Sequence, residues 1–196
     1  MKLNSNIKTA IRVAKIELNS MFYSPVAWLV LVIFGFQIGM SFAQIYGEQL
    51  RYQDMGYDLW SVTSGVYTGM RGILPPIQRY IYLYIPLITM GLMSREYQSG
   101  SIKLLYSSPV KNTSIIIGKF LSMMVYGGAL IAVLGVFVIF SAITIVNFDY
   151  PLVLSGMLGL YLLILAYSAI GLFMSSITKY QVVAAIGTLA VLAVLN

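Results

Sequence analysis

Long apolar runs alternate with short polar ones along this chain of 196 residues. Five runs are apolar enough to predict membrane helices, at about 25–46, 73–94, 115–146, 152–174 and 182–196. The first 24 residues have a different pattern. Ile7, Ile11, Ala14, Leu18 and Phe22 recur at helical spacing on one face, while Lys8, Arg12 and Lys15 occupy the rest. That pattern predicts an amphipathic helix lying in the membrane interface, with a plain basic juxtamembrane anchor as the alternative. The fold class expected is all-α: a polytopic transmembrane helix bundle, preceded by an interfacial helix over 1–24.

Local signals refine the spans. Pro25 suits the first turn of a helix, where its missing N–H costs nothing. Trp28 and Tyr46 stand near the two ends of the first span as interface anchors. Gly35 and Gly39 form a GxxxG spacing that permits close helix approach. Residues 47–72 are polar and rich in Gly and Tyr, and predict a loop. Residues 73–79 lead into the second span, with Arg79 snorkelling to the headgroups, Tyr80 and Tyr84 as belt aromatics and a kink at Pro86. Only Lys119 interrupts the third run, and Asn147 to Pro151 predicts a tight turn. The last run, Val182 to Leu195, covers about 21 Å as a helix, against a hydrocarbon core of about 30 Å. The fifth span is therefore expected to be incomplete, with a sixth beyond Asn196.

Composition supports the membrane assignment: 59% of residues are hydrophobic and 9% charged, where soluble domains carry roughly 25% charged residues. The stretch before the first span lacks the apolar core and cleavage site of a signal peptide. The net charge of +6 raises nucleic acid as a partner, but the placement of the charges answers otherwise. With the N-terminus cytoplasmic, nine of the twelve Lys and Arg residues fall inside, and four of the six acids outside. The basic excess is then the positive-inside signal of a multi-pass protein of the bacterial inner membrane, with no nucleic acid needed.

The same residues bound the chemistry. With no Cys and no His, metal sites built on those ligands, thiol nucleophiles and Ser-His-Asp triads are excluded. No ionisable side chain stands in the middle of a span, which argues against ion-coupled transport and leaves intramembrane hydrolysis without a general base. No catalytic, cofactor-binding or metal residue is assigned. Gly118-Lys119 superficially matches a phosphate-binding loop, but Thr113 replaces the upstream glycine and Phe120 the Ser/Thr that holds Mg²⁺. If ATP drives this protein, another chain binds it.

The segment from Ser94 to Lys119 has its own pattern. Gly100 is expected to break the helix continuing from the second span, and Ser101 to cap a short helix over Ile102–Ser107. Pro109 ends that helix, because the residue before a proline avoids the helical region. Ile102 and Leu105, with Leu104 alongside, give it an apolar edge that can dock into a partner's groove. An ordinary inner loop resting on the membrane is the alternative.

At these residues the chain resembles the permease subunit of an ABC transporter of the ABC-2 type. The family's loop pattern is matched by Glu96, Gly100-Ser101, Leu104-Leu105, Ser108-Pro109-Val110 and Gly118-Lys119. Lys103 stands where the family often has Glu, and Tyr106 where Leu or Met is common. Glu17-Leu18, Phe22 and Ser24-Pro25-Val26-Ala27-Trp28 resemble the start of the first span in the gliding-motility-like branch. The resemblance covers roughly residues 12–125. It implies a six-span domain from residue 25, an interfacial helix bearing Ile7, Ile11, Leu18 and Phe22, and dimerisation with a second permease copy or paralogue. It also implies a coupling helix that receives a separate ATPase subunit through Glu96, Gly100, Ser101, Leu104, Leu105 and Pro109. ATP and Mg²⁺ would be held by that subunit, the lipid bilayer would surround the spans, and substrates would move outward. Glu96 would meet a basic residue of the ATPase, or else pair with Lys103 or Arg95. The rival from another class is a non-transporting membrane anchor or scaffold of an envelope complex.

Overall fold

A computed structural model describes residues 2–55, 62–69, 71–103, 110–145 and 147–196, the side chains of residues 2–5, 50, 53, 54 and 62 excepted. Among the described residues there are helices and connections and no strand. The fold is all-α, a polytopic membrane helix bundle. The helices are α1 (Lys2–Tyr23), α2 (Pro25–Asp54), α3 (Val62–Tyr67), α4 (Leu74–Thr89), α5 (Gly91–Ser99), α6 (Asn112–Thr144), α7 (Tyr150–Ile177) and α8 (Gln181–Leu195). Pro25–Gln49, Asn112–Thr144 and Tyr150–Ile177 are each long and apolar enough to cross a membrane, and Gln181–Leu195 is a shorter apolar helix. On α7, Leu154, Leu158 and Leu162 form an exposed stripe at four-residue spacing, the kind of surface that lipid covers.

Three connections differ from the sequence expectation. First, α2 runs on to Asp54 instead of stopping near Tyr46, and part of the predicted loop folds as α3. Gly47 is a lone weak residue followed by good helix formers, and Arg51 in the last turn complements the helix dipole. Second, the second span is two helices. Pro86 lies inside α4, and its carbonyl still accepts the Met90 N–H at 3.0 Å. The break falls at Met90 rather than at the proline. Third, Tyr150 and Pro151 belong to α7, not to the turn before it. Asn147 takes a left-handed φ of 62°, which Asn tolerates, and the Asp149 carboxylate accepts the Leu152 N–H at 3.2 Å to start the helix.

The chain divides into two compact units. One comprises Val30–Ile81 and Gly128–Leu163. Within it the GxxxG face of α2 receives side chains of α6: a Cβ on Gly35 would lie 3.4 Å from Val133, and one on Gly39 3.5 Å from Phe137. Phe42 packs its ring 5.3 Å from that of Phe137. Val66 and Tyr67 of α3 are fully buried. The Tyr67 hydroxyl donates to Ser141 Oγ at 2.8 Å and lies 3.2 Å from the Phe137 carbonyl. Burial pushes the Tyr67 phenol above its usual value, and the Ser141 hydrogen bond offsets part of that rise.

The other unit comprises Met1–Leu29, Tyr82–Gly127 and Ile164–Asn196, and it holds the residues of interest below. Its α1 turns into α2 through a bend at Ser24, where Trp28 Nε1 donates to the Phe22 carbonyl at 2.9 Å. The Tyr126 hydroxyl reaches the Ala27 carbonyl at 2.8 Å and ties the bend to α6. Not every buried hydroxyl joins helices in this way. Thr89 and Ser122 donate to carbonyls of their own helices, at Ile85 and Lys119.

Candidate functional site

The site is built where α1 meets α6. A Cβ on Gly118 would stand 2.7 Å from the Ala10 carbonyl oxygen and 2.7 Å from Val13 Cβ, so only glycine lets the two backbones come this close. The next residue is Lys119, whose side chain is 1% exposed. Its ammonium lies 2.9 Å from Glu17 Oε2 of α1 and 2.8 Å from Glu96 Oε1 of α5, and it also donates to the Leu92 carbonyl. An ammonium has three N–H bonds, and here three acceptors meet them. The second Glu17 oxygen accepts from Arg95 Nη2 at 2.9 Å, and Arg95 Nη1 donates to Ser20 Oγ at 3.0 Å.

Two carboxylates thus face two cations, and the cluster is neutral. Its stakes come from burial rather than from net attraction. A buried charge is tolerated while paired, but deleting one partner leaves the others uncompensated at a cost of about 3–5 kcal/mol. The Arg95 arm contributes less, because that side chain is 43% exposed and screened by water. One acceptor is left over: Glu96 Oε2 is buried with no hydrogen-bond partner among the described residues.

A second polar device shapes α5 itself. Ser175 of α7 inserts its hydroxyl at the α4–α5 break. It accepts the N–H groups of Met93 at 3.0 Å and Ser94 at 3.1 Å, and donates to the Met90 carbonyl at 2.9 Å. The Ser94 hydroxyl donates to the same carbonyl. The backbone groups freed by the break are satisfied inside the protein, as a membrane helix requires. One turn earlier on α7, Gly171 gives room to Thr89, whose Oγ1 would stand 2.2 Å from a Cβ at that position. Beside these elements lies a cavity of about 120 Å³, lined by Glu17, Arg95, Met90, Leu92 and Gln181 among others.

The end of α5 behaves as the sequence predicts. Gly100 caps it with φ 73° and ψ 0°, a left-handed conformation that favours glycine. The Ser101 hydroxyl turns back, 2.8 Å from Ser99 Oγ and 3.5 Å from the Glu96 carbonyl. Ile102 and Lys103 are helical. Ile102 is buried within the chain, so it does not belong to an exposed docking edge as the spacing alone suggested. Leu104, Leu105 and Pro109 lie outside the described residues.

Helix α1 presents three faces. Ala10, Glu17 and Met21 are buried against the protein. Ile7 and Ile11, on the expected apolar face, are 52% and 57% exposed. Leu18 and Phe22 are half-buried, Phe22 with its ring 5.6 Å from Trp28 and 5.9 Å from Tyr126. Lys8, Arg12 and Lys15 are exposed on the remaining face. The packed face was not legible from apolar spacing, because a carboxylate sits at its centre. The signal was the charge itself: one acid in a basic helix, and one lysine in an otherwise apolar run.

Of the residues expected to contact a partner, the structure places Glu96, Gly100 and Ser101 within six positions at the end of one helix. It pairs Glu96 with Lys119, a partner that neither sequence-level alternative included.

Long apolar helices, joined at one end by a buried ion cluster, define a multi-pass membrane protein. Residues 11–196 match the family model described as ABC-2 family transporter protein. The chain belongs to that family and is a transmembrane permease of an ABC transporter. The match includes the later spans, beyond the motifs that carried the resemblance. No curated protein and no solved structure matches the chain.

Proposed function

We propose that this chain is the permease subunit of an ATP-driven exporter, coupled to a separate ATPase subunit through its 94–112 segment. The observation that carries the reading is the Lys119 cluster. It ties α5, whose C-terminus leads into Gly100–Lys103, to α1 and α6 at once. A push on the segment after Gly100 is resisted by three helices, not one, so it moves them together. Glu96 anchors that lever from inside, and Leu104, Leu105 and Pro109 supply its contact with the ATPase. ATP and Mg²⁺ bind in the partner. The charge distribution puts the N-terminus and this segment on the cytoplasmic side of a bacterial inner membrane, with Ile7 and Ile11 facing lipid. A second permease copy or paralogue completes the pathway. The Glu17-Leu18 and Ser24-to-Trp28 motifs support the gliding-motility-like branch.

The chain has no cysteine, so a single introduced one reports its own neighbours. With Lys103→Cys and an ATPase encoded beside this gene, a thiol crosslinker should join the two chains. Thr68→Cys, on the opposite side by this topology, should give none. Equal crosslinking at both positions, or none at either, contradicts the proposal.

A further inference from the structure

The close crossing at Gly118 leaves a wedge beside it. Between α1 and α6 a groove of about 330 Å³ opens, lined on α1 by Asn6, Ile7 and Ile11, on α6 by Ile117 and Leu121, and by Lys111 just before α6. Its polarity is graded. Lys111 and the Asn6 amide stand where α6 begins, while Ile11, Ile117 and Leu121 line the rest. Lys111 is exposed and has no acidic partner among the described residues. The two acids of this unit, Glu17 and Glu96, are both held in the Lys119 cluster. No carboxylate lines the groove, and Lys8 is exposed on the adjoining face of α1. From Lys111 to Leu121 the helix rises about 15 Å, half of a hydrocarbon core of about 30 Å. The groove therefore has a cation at one end and a single leaflet's depth of apolar wall below it.

We propose that this groove is a binding site for one anionic phospholipid of the cytoplasmic leaflet. The phosphodiester sits at Lys111 and an acyl chain lies along Ile11, Ile117 and Leu121. Past Ile117 the apolar surface continues into a second recess, of about 440 Å³, bordered by Phe120 and Phe173, with room for the other acyl chain. A lipid wedged here fills the groove between α1 and α6 and holds the interfacial helix in place. The site does not depend on the ATPase partnership.

Native mass spectrometry of the delipidated full chain in detergent tests it, titrating dioleoyl phosphatidylglycerol against dioleoyl phosphatidylcholine. The first phosphatidylglycerol should bind roughly fivefold tighter than phosphatidylcholine, the preference that one basic residue confers. Lys111→Gln should abolish the preference, and Lys179→Gln, an exposed lysine elsewhere, should leave it. Ile117→Trp, which fills the groove, should lose the first lipid of either kind while helicity by circular dichroism is unchanged. The proposal is overturned if Lys111→Gln keeps the preference, if Lys179→Gln removes it equally, or if Ile117→Trp retains the lipid as the wild type does.

Discussion

Lys119 of α6 holds Glu96 of α5 at 2.8 Å, across 23 positions of sequence and inside a site where the lysine is almost wholly removed from solvent. The same ammonium holds Glu17 of α1 at 2.9 Å. A residue that breaks an otherwise apolar run is thus the point at which three helices are joined. Its burial makes the joint conditional: it is strong while complete and costly when any member is lost.

Lys119→Met should therefore destabilise the protein by about 3–5 kcal/mol, because Glu96 stays buried without a cation and Glu17 keeps only the half-exposed Arg95. Adding Glu17→Gln and Glu96→Gln to the same chain should recover most of that loss, since no buried charge is then left unpaired. Thermal unfolding in detergent of the single and triple variants reads both effects. A triple variant no better than the single one would show that the lysine acts through packing alone.

Gly118 has a different task, which is to make room. Gly118→Ala puts a methyl group 2.7 Å from the Ala10 carbonyl, and backbone cannot swing aside as a side chain can. The expected cost is about 1–3 kcal/mol, felt as loosening of α1. Proteolysis between α1 and α2, near the exposed Tyr23, should speed up while the helicity of the spans is kept. An unchanged cleavage rate would mean that α1 is held independently of this crossing.

At the α4–α5 break the coupling is between Gly171 and Thr89. Gly171→Ala forces a methyl group onto Thr89 Oγ1 and should destabilise, whereas adding Thr89→Ala should recover part of the loss, the remaining clash being with Thr89 Cβ at 2.7 Å. Ser175→Ala should cost about 1–3 kcal/mol, because the Met93 and Ser94 N–H groups lose their acceptor. Melting temperatures of the three variants decide it. The idea fails if Thr89→Ala gives no rescue.

In the other unit, Tyr67→Phe should cost about 1 kcal/mol through loss of the Ser141 hydrogen bond. The pH dependence follows from the raised phenol. Its contribution is fully present below the ordinary tyrosine value of 10.0 and is lost as pH rises from there through the higher folded value. Wild type and Tyr67→Phe should thus differ steadily from pH 6 to 9. A difference that vanishes within that range would contradict the buried hydrogen bond.

Much of this architecture is readable in the chain before it folds, and the reasons for the rest are physical. Apolar run length locates α6, α7 and α8, and Gly100 and Pro25 mark real helix boundaries, because hydrophobic burial and backbone sterics act locally. The extension of α2 to Asp54 was hidden because polar helix formers look like loop when no apolar period accompanies them. Pro86 announced a distortion of this span, but its place at Met90 is where Ser175, 85 residues away, bonds the backbone, and that partner is not visible locally. The ion cluster was half visible. Glu17 and Lys119 are each out of character with their surroundings, but their pairing is a tertiary fact. Ile102 was assigned to a docking edge by spacing alone, and burial removes it. Leu104 and Leu105 remain the part of that edge on which the proposed partnership turns.

The most direct test is co-purification of an ATPase encoded beside this gene with the full-length permease, compared between wild type and Leu104→Asp with Leu105→Asp. The account predicts that the ATPase co-purifies with the wild type and is lost from the double variant, while that variant remains in the membrane at wild-type level. An ATPase that binds both equally, or neither, contradicts it and leaves a non-transporting membrane scaffold as the better description.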